Sequence, residues 1–217
     1  YRTYVERDVR QLVQVENQAA FETFVRLLAG RIGQVVNFQS LSGVVGVDAK
    51  TLKRWMSVLE ASYVVVHLQP YYRNFGKRLV KSSKVYFTDV GLAAYLLGIP
   101  QPSQVGRDPL FGGLFENLVV LDLLKAKFNF QLRQDFYYIR DNSGIEVDLV
   151  LEQNRKLNLL EIKGAMTPDN SFGVNMEKIR KCTDDILSCN VVYAGEDWPL
   201  KDCDGFVNFK RTSGIVN

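Results

Sequence analysis

The sequence predicts an α+β protein of two domains, the second of them an α/β domain with a central mixed sheet. Residues 20–97 have the pattern of helices interrupted by two short strands, and residues 114–193 that of a long apolar helix followed by strands. Between them, residues 98–109 contain three prolines and two glycines, which is typical of a linker. Since 217 residues suffice for two small cores, the predicted domains are residues 19–105 and 106–217, with residues 1–18 as a junction to a preceding domain.

The charge of the chain is unevenly distributed. Residues 1–105 contain 13 Lys or Arg against 7 Asp or Glu, whereas residues 106–217 contain 14 against 17. A basic first half favours contact with a polyanion, although an ordinary solvated surface can carry the same few charges. His67 is the only histidine and the three cysteines are widely spaced, so a zinc site built from them is excluded. Any catalysis is therefore expected from carboxylates and lysines.

The sequence contains no membrane span and no signal peptide pattern. No run of about 18 apolar residues occurs, and the N-terminal residues lack the apolar stretch of a secretory signal. A reducing cytoplasm is the expected compartment. Because the sequence starts with Tyr1 rather than Met, we expect it to come from a longer protein.

The first domain has the pattern of a helix-turn-helix. Residues 20–32 show helical spacing, and Asn37 and Asp48 are candidate N-caps for helices over residues 38–44 and 49–61. The last of these helices carries apolar residues on one face and basic residues on the other. Two short helices, a tight glycine turn and a basic outer face are typical of a helix-turn-helix that binds DNA.

A basic hairpin follows these helices. Strand patterns cover residues 63–68 and 85–87, with aromatic and basic residues between them, and a further helix ends at residue 97. This order predicts a winged-helix DNA-binding domain, with a protein-interaction module as the alternative. The side chains expected to contact phosphates are Lys50, Lys53 and Arg54 on the helix and Arg73, Lys77, Arg78 and Lys81 in the hairpin.

The second domain is predicted to begin with a buried helix. Residues 114–125 are apolar almost all round, as in a helix packed between other elements. Glu116 lies in the predicted first turn, where it either gains from the positive helix end or faces a metal. Strands are predicted over residues 136–139, 145–151, 157–162 and 190–193, and a helix over residues 175–182.

Three polar side chains are predicted to meet on the central hairpin. Alternation places Asp148 on one strand and Glu161 and Lys163 on the next, facing the same way if the strands pair in register. Two carboxylates, with the Ile162 carbonyl as a further oxygen, suit Mg²⁺ or Mn²⁺, and a lysine beside them would orient or deprotonate a water. The alternative is the solvated face of an ordinary hairpin. Glu146, on the same face as Asp148, is a candidate neighbour.

These residues resemble the PD-(D/E)xK nuclease superfamily. The matching positions are Glu116 on the helix, Asp148 on a strand, and Glu161-Ile162-Lys163 on the next strand. The resemblance covers about residues 109–209 and implies a restriction-endonuclease-like fold. It also implies metal binding by Asp148 and Glu161, completion of the metal shell by Glu116, and assistance by Lys163 to water attack on a phosphodiester.

The whole chain resembles the C-terminal region of a bacterial and archaeal AAA-type ATPase family, whose appended domain is of unknown function. The motifs that carry this resemblance are residues 3–10, 27–29, 51–55, 59–63, 77–81, 86–92, 114–117 and 161–163. The chain has no glycine-rich loop ending in Gly-Lys-Ser/Thr, so we expect no ATP site in it.

The resemblance implies a module that binds DNA and cleaves it with Mg²⁺, joined to an N-terminal ATPase domain. The alternative that it leaves open is an inactive nuclease fold that binds DNA or a protein partner for the ATPase. Self-association is a further candidate interaction.

Overall fold

The computed structural model describes residues 17–72, 82–198 and 204–215. Contacts divide the chain into two units: Tyr1–His67 with Ser83–Leu114, and Leu68–Ser82 with Phe115–Asn217. The predicted boundary at residue 105 lies in the proline- and glycine-rich stretch, whereas the division by contacts lies ten residues or so further on, inside a helix that is continuous from residue 111.

The helices of the first unit begin at side-chain caps. The Asn37 side chain accepts a hydrogen bond from the Ser40 amide at 3.1 Å, and the Asp48 side chain accepts one from the Thr51 amide at 2.9 Å. Both predicted N-caps are thereby confirmed. The three helices are α1 (Gln18–Ala29), α2 (Phe38–Val45) and α3 (Ala49–Ala61).

The core of this unit forms around Trp55 on α3. The rings of Phe21 and Phe24 on α1 lie 5.3 and 5.9 Å from the Trp55 ring, between centroids. Gly46 adopts φ 79° between α2 and α3, a left-handed conformation that a glycine takes at little cost. The apolar face predicted for α3 is confirmed, since Leu52, Trp55, Met56 and Leu59 are all buried.

Two short strands and two short helices follow α3 along the chain, and the first of these strands ends in the second unit. The predicted strand from Tyr63 starts later, because Tyr63 has φ 54° and thus a left-handed backbone. The stretch predicted as a linker contains one helical turn. The elements are β1 (Val65–Pro70), β2 (Lys84–Phe87), α4 (Val90–Leu96) and α5 (Pro102–Val105).

The second unit contains most of a seven-stranded mixed sheet. The strands follow the order β2-β1-β3-β4-β5-β6-β7, in which β3, β4 and β5 are antiparallel neighbours and β5, β6 and β7 are parallel neighbours. The elements are α6 (Phe111–Asn129), β3 (Asp135–Arg140), β4 (Glu146–Gln153), β5 (Lys156–Lys163), a 3-10 turn (Asn170–Gly173), α7 (Val174–Arg180), β6 (Ile186–Tyr193), β7 (Gly205–Asn208) and a final 3-10 turn (Phe209–Gly214). Strand β7 has no counterpart among the predicted elements.

Helix α6 begins earlier than predicted, at Phe111 instead of residue 114. Gly113 belongs to the helix, and a β-carbon there would make an ordinary contact with the carbonyl oxygen of Ile32 at 3.4 Å. Glu116 is therefore beyond the first helical turn. The prediction that the positive end of the helix stabilises the Glu116 carboxylate is therefore wrong, because the effect of the helix dipole falls off within the first turn.

The central strands are buried on both faces. Val147, Leu149, Val150 and Leu151 of β4 are fully buried, as are Leu157, Leu159 and Leu160 of β5. The interpretation of Asp148 and Glu161 as residues on a solvated hairpin face is therefore wrong. Carboxylates at these positions replace apolar side chains in a buried layer, which is costly unless they are partnered.

Candidate active site

A β-bulge lies at Asp148. Tyr137 pairs with Val150 and Ile139 pairs with Val147, so two residues of β4, Asp148 and Leu149, face the single residue Tyr138 on β3. Such a bulge inserts one residue and redirects the side chains beside it. This explains why Val147 and Val150, an odd number of residues apart, both belong to the same apolar cluster.

The Asp148 carboxylate takes the place of a main-chain acceptor. The ladder between β4 and β5 ends at the pair Leu149 and Leu160. Beyond it, Asp148 Oδ2 accepts a hydrogen bond from the main-chain N–H of Ile162 at 3.0 Å. This contact fixes the carboxylate against β5, next to the two polar residues predicted there.

The three predicted side chains converge. Lys163 Nζ lies 2.7 Å from Glu161 Oε1 and 4.0 Å from Asp148 Oδ2. Asp148 and Glu161 are 7% and 6% exposed, whereas 36% of the Lys163 side chain is exposed. The cluster thus consists of two buried carboxylates and a partly exposed ammonium.

The charge of Lys163 is set by the competition between burial and its neighbours. Burial by itself would lower the pKa of the ammonium, but the carboxylates of Asp148, Glu161 and Glu116 together raise that pKa above its ordinary value. Lys163 is therefore positively charged at neutral pH. In this arrangement it can orient or stabilise a negative group.

The other two candidate residues, Glu116 and Glu146, do not share the direct contacts with Lys163 that Asp148 and Glu161 make. Glu116, half-buried on α6, is close enough to help raise the pKa of Lys163, although its influence is smaller than those of Asp148 and Glu161. Glu146 forms an ion pair with Arg140, with 3.5 Å between Glu146 Oε2 and Arg140 Nε. This ion pair involves none of Asp148, Glu161 and Lys163.

The donor set fits a divalent cation that keeps several waters. Among the described residues, no group of three or more His, Cys, Asp or Glu side chains is placed to hold a metal. Mg²⁺ is commonly held by one or two carboxylates plus waters and substrate oxygens, which is what Asp148 and Glu161 offer. In this structure the positive charge beside them is supplied by the Lys163 ammonium.

The residues predicted to contact DNA are described only in part. Lys50, Lys53 and Arg54 are exposed on α3, opposite its buried face, and Lys53 Nζ lies 6.0 Å from the centroid of the Phe38 ring. Arg73, Lys77, Arg78 and Lys81 lie outside the described residues. His67, interpreted as structural, lies 2.9 Å from Ser83 through its Nδ1 and Oγ atoms.

Sequence reasoning missed two features of the site, the bulge and the contact between Asp148 and the Ile162 amide. The only signal for the bulge was a broken alternation, because Leu149, Val150 and Leu151 are three consecutive apolar residues. No sequence signal identifies the amide contact, since it depends on where the ladder ends.

Two family models cover most of the chain, and neither is functionally defined. Residues 1–103 match a domain of unknown function, DUF8612, and residues 111–211 match a second one, DUF4143. The interval between the matches overlaps the stretch that the sequence predicts as a linker. The winged-helix and nuclease-like assignments remain predictions.

The chain is also similar to uncharacterized mycobacterial proteins. Rv2008c of Mycobacterium tuberculosis and Mb2031c of Mycobacterium bovis are each 32% identical to it over 201 residues, covering 92% of this chain and 44% of theirs. The chain therefore spans less than half the length of these relatives. Among solved structures, protein VC1899 from Vibrio cholerae is 12% identical with a TM-score of 0.33, over 92% of this chain and 55% of that protein, a likeness too weak to define a shared fold.

No helix in the described parts of the chain is both long enough and apolar enough to cross a membrane.

Proposed function

We propose that the second unit hydrolyses phosphodiester bonds of DNA with the help of a divalent cation. The observation that carries this proposal is the convergence of Asp148, Glu161 and Lys163 at a bulge inside a buried sheet. Carboxylates in a buried layer cost stability unless they are partnered, and strongly interacting ionisable groups of this kind are common at functional sites. The resemblance to PD-(D/E)xK nucleases gives these three positions matching roles.

Asp148 and Glu161 would hold Mg²⁺ or Mn²⁺, and Glu116 would complete the metal shell, as the resemblance implies. When bound, the cation would supply a Lewis acid that stabilises negative charge on a phosphate oxygen and lowers the pKa of a bound water. The Asp148 contact to the Ile162 amide holds one of the two carboxylates in place before the cation binds.

Lys163 would donate a hydrogen bond to the attacking water or to a phosphate oxygen. In hydrolysis, a bond forms between the water oxygen and phosphorus, the opposite P–O ester bond breaks, and the departing oxygen takes up a proton. Lys163 contributes positive charge to this step, and the proton of the attacking water passes to the surrounding solvent.

The first unit would hold the DNA. Lys50, Lys53 and Arg54 form an exposed basic face on α3, which suits phosphate contacts. The slope of log affinity against log salt falls by about 0.9 for each phosphate that a protein no longer neutralises, so replacing all three with Gln should reduce it by about 3. The resemblance further suggests that an N-terminal ATPase domain acts on the same DNA, in the cytoplasm.

Cleavage of single-stranded, duplex and branched DNA tests the proposal. Asp148→Asn and Glu161→Gln keep the shapes of the side chains and remove one charge each, so both should abolish Mg²⁺- or Mn²⁺-dependent cutting and leave metal-free DNA binding intact. Glu146→Gln is the matched control, because its carboxylate belongs to an ion pair with Arg140. Cutting by Asp148→Asn at the wild-type rate would overturn the catalytic assignment.

The second candidate function is an inactive module that binds DNA or a protein partner for the ATPase. One observation favours it: the Lys163 ammonium, at 2.7 Å from Glu161, already compensates part of the negative charge of the two carboxylates. Calorimetric titration with Mn²⁺ separates the candidates. Binding that disappears in Glu161→Gln supports the enzyme, whereas the same heats in both proteins, together with metal-independent DNA binding, support the inactive module.

A further inference from the structure

The end of helix α6 exposes two aromatic rings among basic side chains. Phe128 and Phe130 are 74% and 64% exposed, and they are the only strongly exposed phenylalanines in the described part of the chain. Residues 125–133 contain three basic residues and no acidic one. We call the set Lys125, Phe128, Phe130 and Arg133 the aromatic ledge; it lies entirely within the second unit.

The cations of the ledge differ in what they contact. Lys127, between them, is engaged: its Nζ lies 3.3 Å from Asp135 Oδ1 and 5.2 Å from the centroid of the Phe136 ring. Over the described residues, neither Lys125 nor Arg133 forms an ion pair, and both are exposed. Two exposed cations, each three residues along the chain from an exposed ring, are thus available to a negatively charged ligand.

The backbone under the ledge is held in a defined shape. The Leu132 amide donates to the Lys127 carbonyl at 2.9 Å and the Gln131 amide to the Phe128 carbonyl at 3.4 Å, which together form a Schellman C-cap. Gln131 adopts φ 51° in this motif, at a position usually taken by glycine. The exposed rings therefore extend from a hydrogen-bonded helix end, although they take no part in the core.

We infer that the aromatic ledge binds single-stranded nucleic acid by stacking bases on Phe128 and Phe130 and pairing phosphates with Lys125 and Arg133. Exposed aromatic rings accept any base, and nearby cations track the backbone, which is how sequence-independent single-strand binding works. Duplex DNA stacks its bases internally and offers no free base faces to such rings. A purely apolar protein partner would contact the two rings and would offer no negative charge to the two cations.

This inference concerns binding and is independent of the proposed cleavage. Its test uses the 217-residue chain in EDTA, where no divalent cation supports cutting. Fluorescence anisotropy measures the affinity for labelled oligo(dT) of about 15 nucleotides, near the upper site size of single-strand binding folds, and for a duplex of equal length.

The variants separate stacking from apolar contact. Phe128→Ala with Phe130→Ala should weaken oligo(dT) binding about tenfold or more, since stacking on one ring accounts for about 1–3 kcal/mol per base. Phe128→Leu with Phe130→Leu keeps apolar bulk and should also weaken it. Leu187→Ala, another exposed apolar residue of this unit, is the control and should leave the affinity unchanged.

The contribution of Lys125 and Arg133 to binding is measured separately, from the salt dependence of the affinity for oligo(dT). Lys125→Gln with Arg133→Gln should lower the salt slope for oligo(dT) by about 1.4, or about 0.7 for each phosphate contact on a single strand. Duplex affinity should change little in all these variants, and thermal melting checks that each is folded.

Three results would overturn the inference: no oligo(dT) binding by the wild type, wild-type affinity in the double Ala variant, or wild-type affinity in the double Leu variant. A change in oligomeric state on removing the rings, with unchanged oligo(dT) affinity, would instead assign the ledge to protein contact and overturn it as well.

Discussion

Asp148 has a structural contact and a proposed chemical role, and two substitutions separate them. Its Oδ2 atom accepts the Ile162 amide at 3.0 Å in a site where Asp148 is 7% exposed. Asp148→Ala leaves that buried N–H without an acceptor, which costs about 1–3 kcal/mol. Asp148→Asn keeps a carbonyl oxygen in nearly the same place but loses the stronger, charge-assisted bond, so its expected cost is about 1 kcal/mol.

Urea unfolding of both variants measures this difference as a change in the free energy of unfolding. We expect Asp148→Ala to be less stable than Asp148→Asn by up to about 2 kcal/mol, with both equally inactive in metal-dependent cleavage. Glu146→Ala is the control, because its partly exposed ion pair with Arg140 should contribute less than about 1 kcal/mol.

Equal stability of Asp148→Ala and Asp148→Asn would refute the argument that the Ile162 amide depends on this carboxylate. An Asp148→Asn variant that is inactive but as stable as expected would show that charge, and not folding, is what cleavage requires.

Three further predictions concern the charge of Lys163, a glycine of the second unit and the N-cap of α2. The pKa of Lys163 is raised above its ordinary value of 10.5, so the ammonium stabilises the folded protein below pH 10.5, and this stabilisation is lost as pH rises through the folded-state pKa. The difference in the free energy of unfolding between wild type and Lys163→Met, measured with urea, should therefore be constant from about pH 7 to 9 and shrink above about pH 10.5. Gly195→Ala places a β-carbon 2.3 Å from the Met166 carbonyl oxygen and should cost about 1–3 kcal/mol in thermal melts, whereas Gly106→Ala, with open space around it, should not; equal melting temperatures would contradict this. Asn37→Ala removes the N-cap of α2 and should cost about 0.5–2 kcal/mol, while Asn37→Asp should cost far less in the same unfolding assay.

Much of the fold was predictable because its signals are local. Capping residues such as Asn37 and Asp48 act within three residues of themselves, and the apolar face of α3 follows from helical spacing alone. The start of α6 was not predictable in this way. Gly112 and Gly113 disfavour a helix by propensity, yet both belong to α6 in the folded chain.

The candidate site was predictable as a set of residues, and its geometry was not. Period-two alternation correctly placed Glu161 and Lys163 together, since β5 is regular there. On β4 the bulge opposite Tyr138 interrupts that alternation, so the position of Asp148 depends on this bulge and on the Ile162 amide. Whether the side chains were buried also required the structure, because both faces of these strands are covered by distant parts of the chain.

The path of the chain between its two units has a practical consequence for dissecting the protein. The second unit takes residues 68–82 from the middle of the first, and strand β1, which pairs with β3 through Gln69 and Pro70, starts in one unit and ends in the other. A single cut cannot release either unit whole: a fragment starting at residue 115 would lack a neighbour strand of β3, and its outer edge would be left open to aggregation. Separate expression of the two halves is thus expected to yield poorly behaved protein, and point substitutions in the whole chain are the better way to assign functions to each.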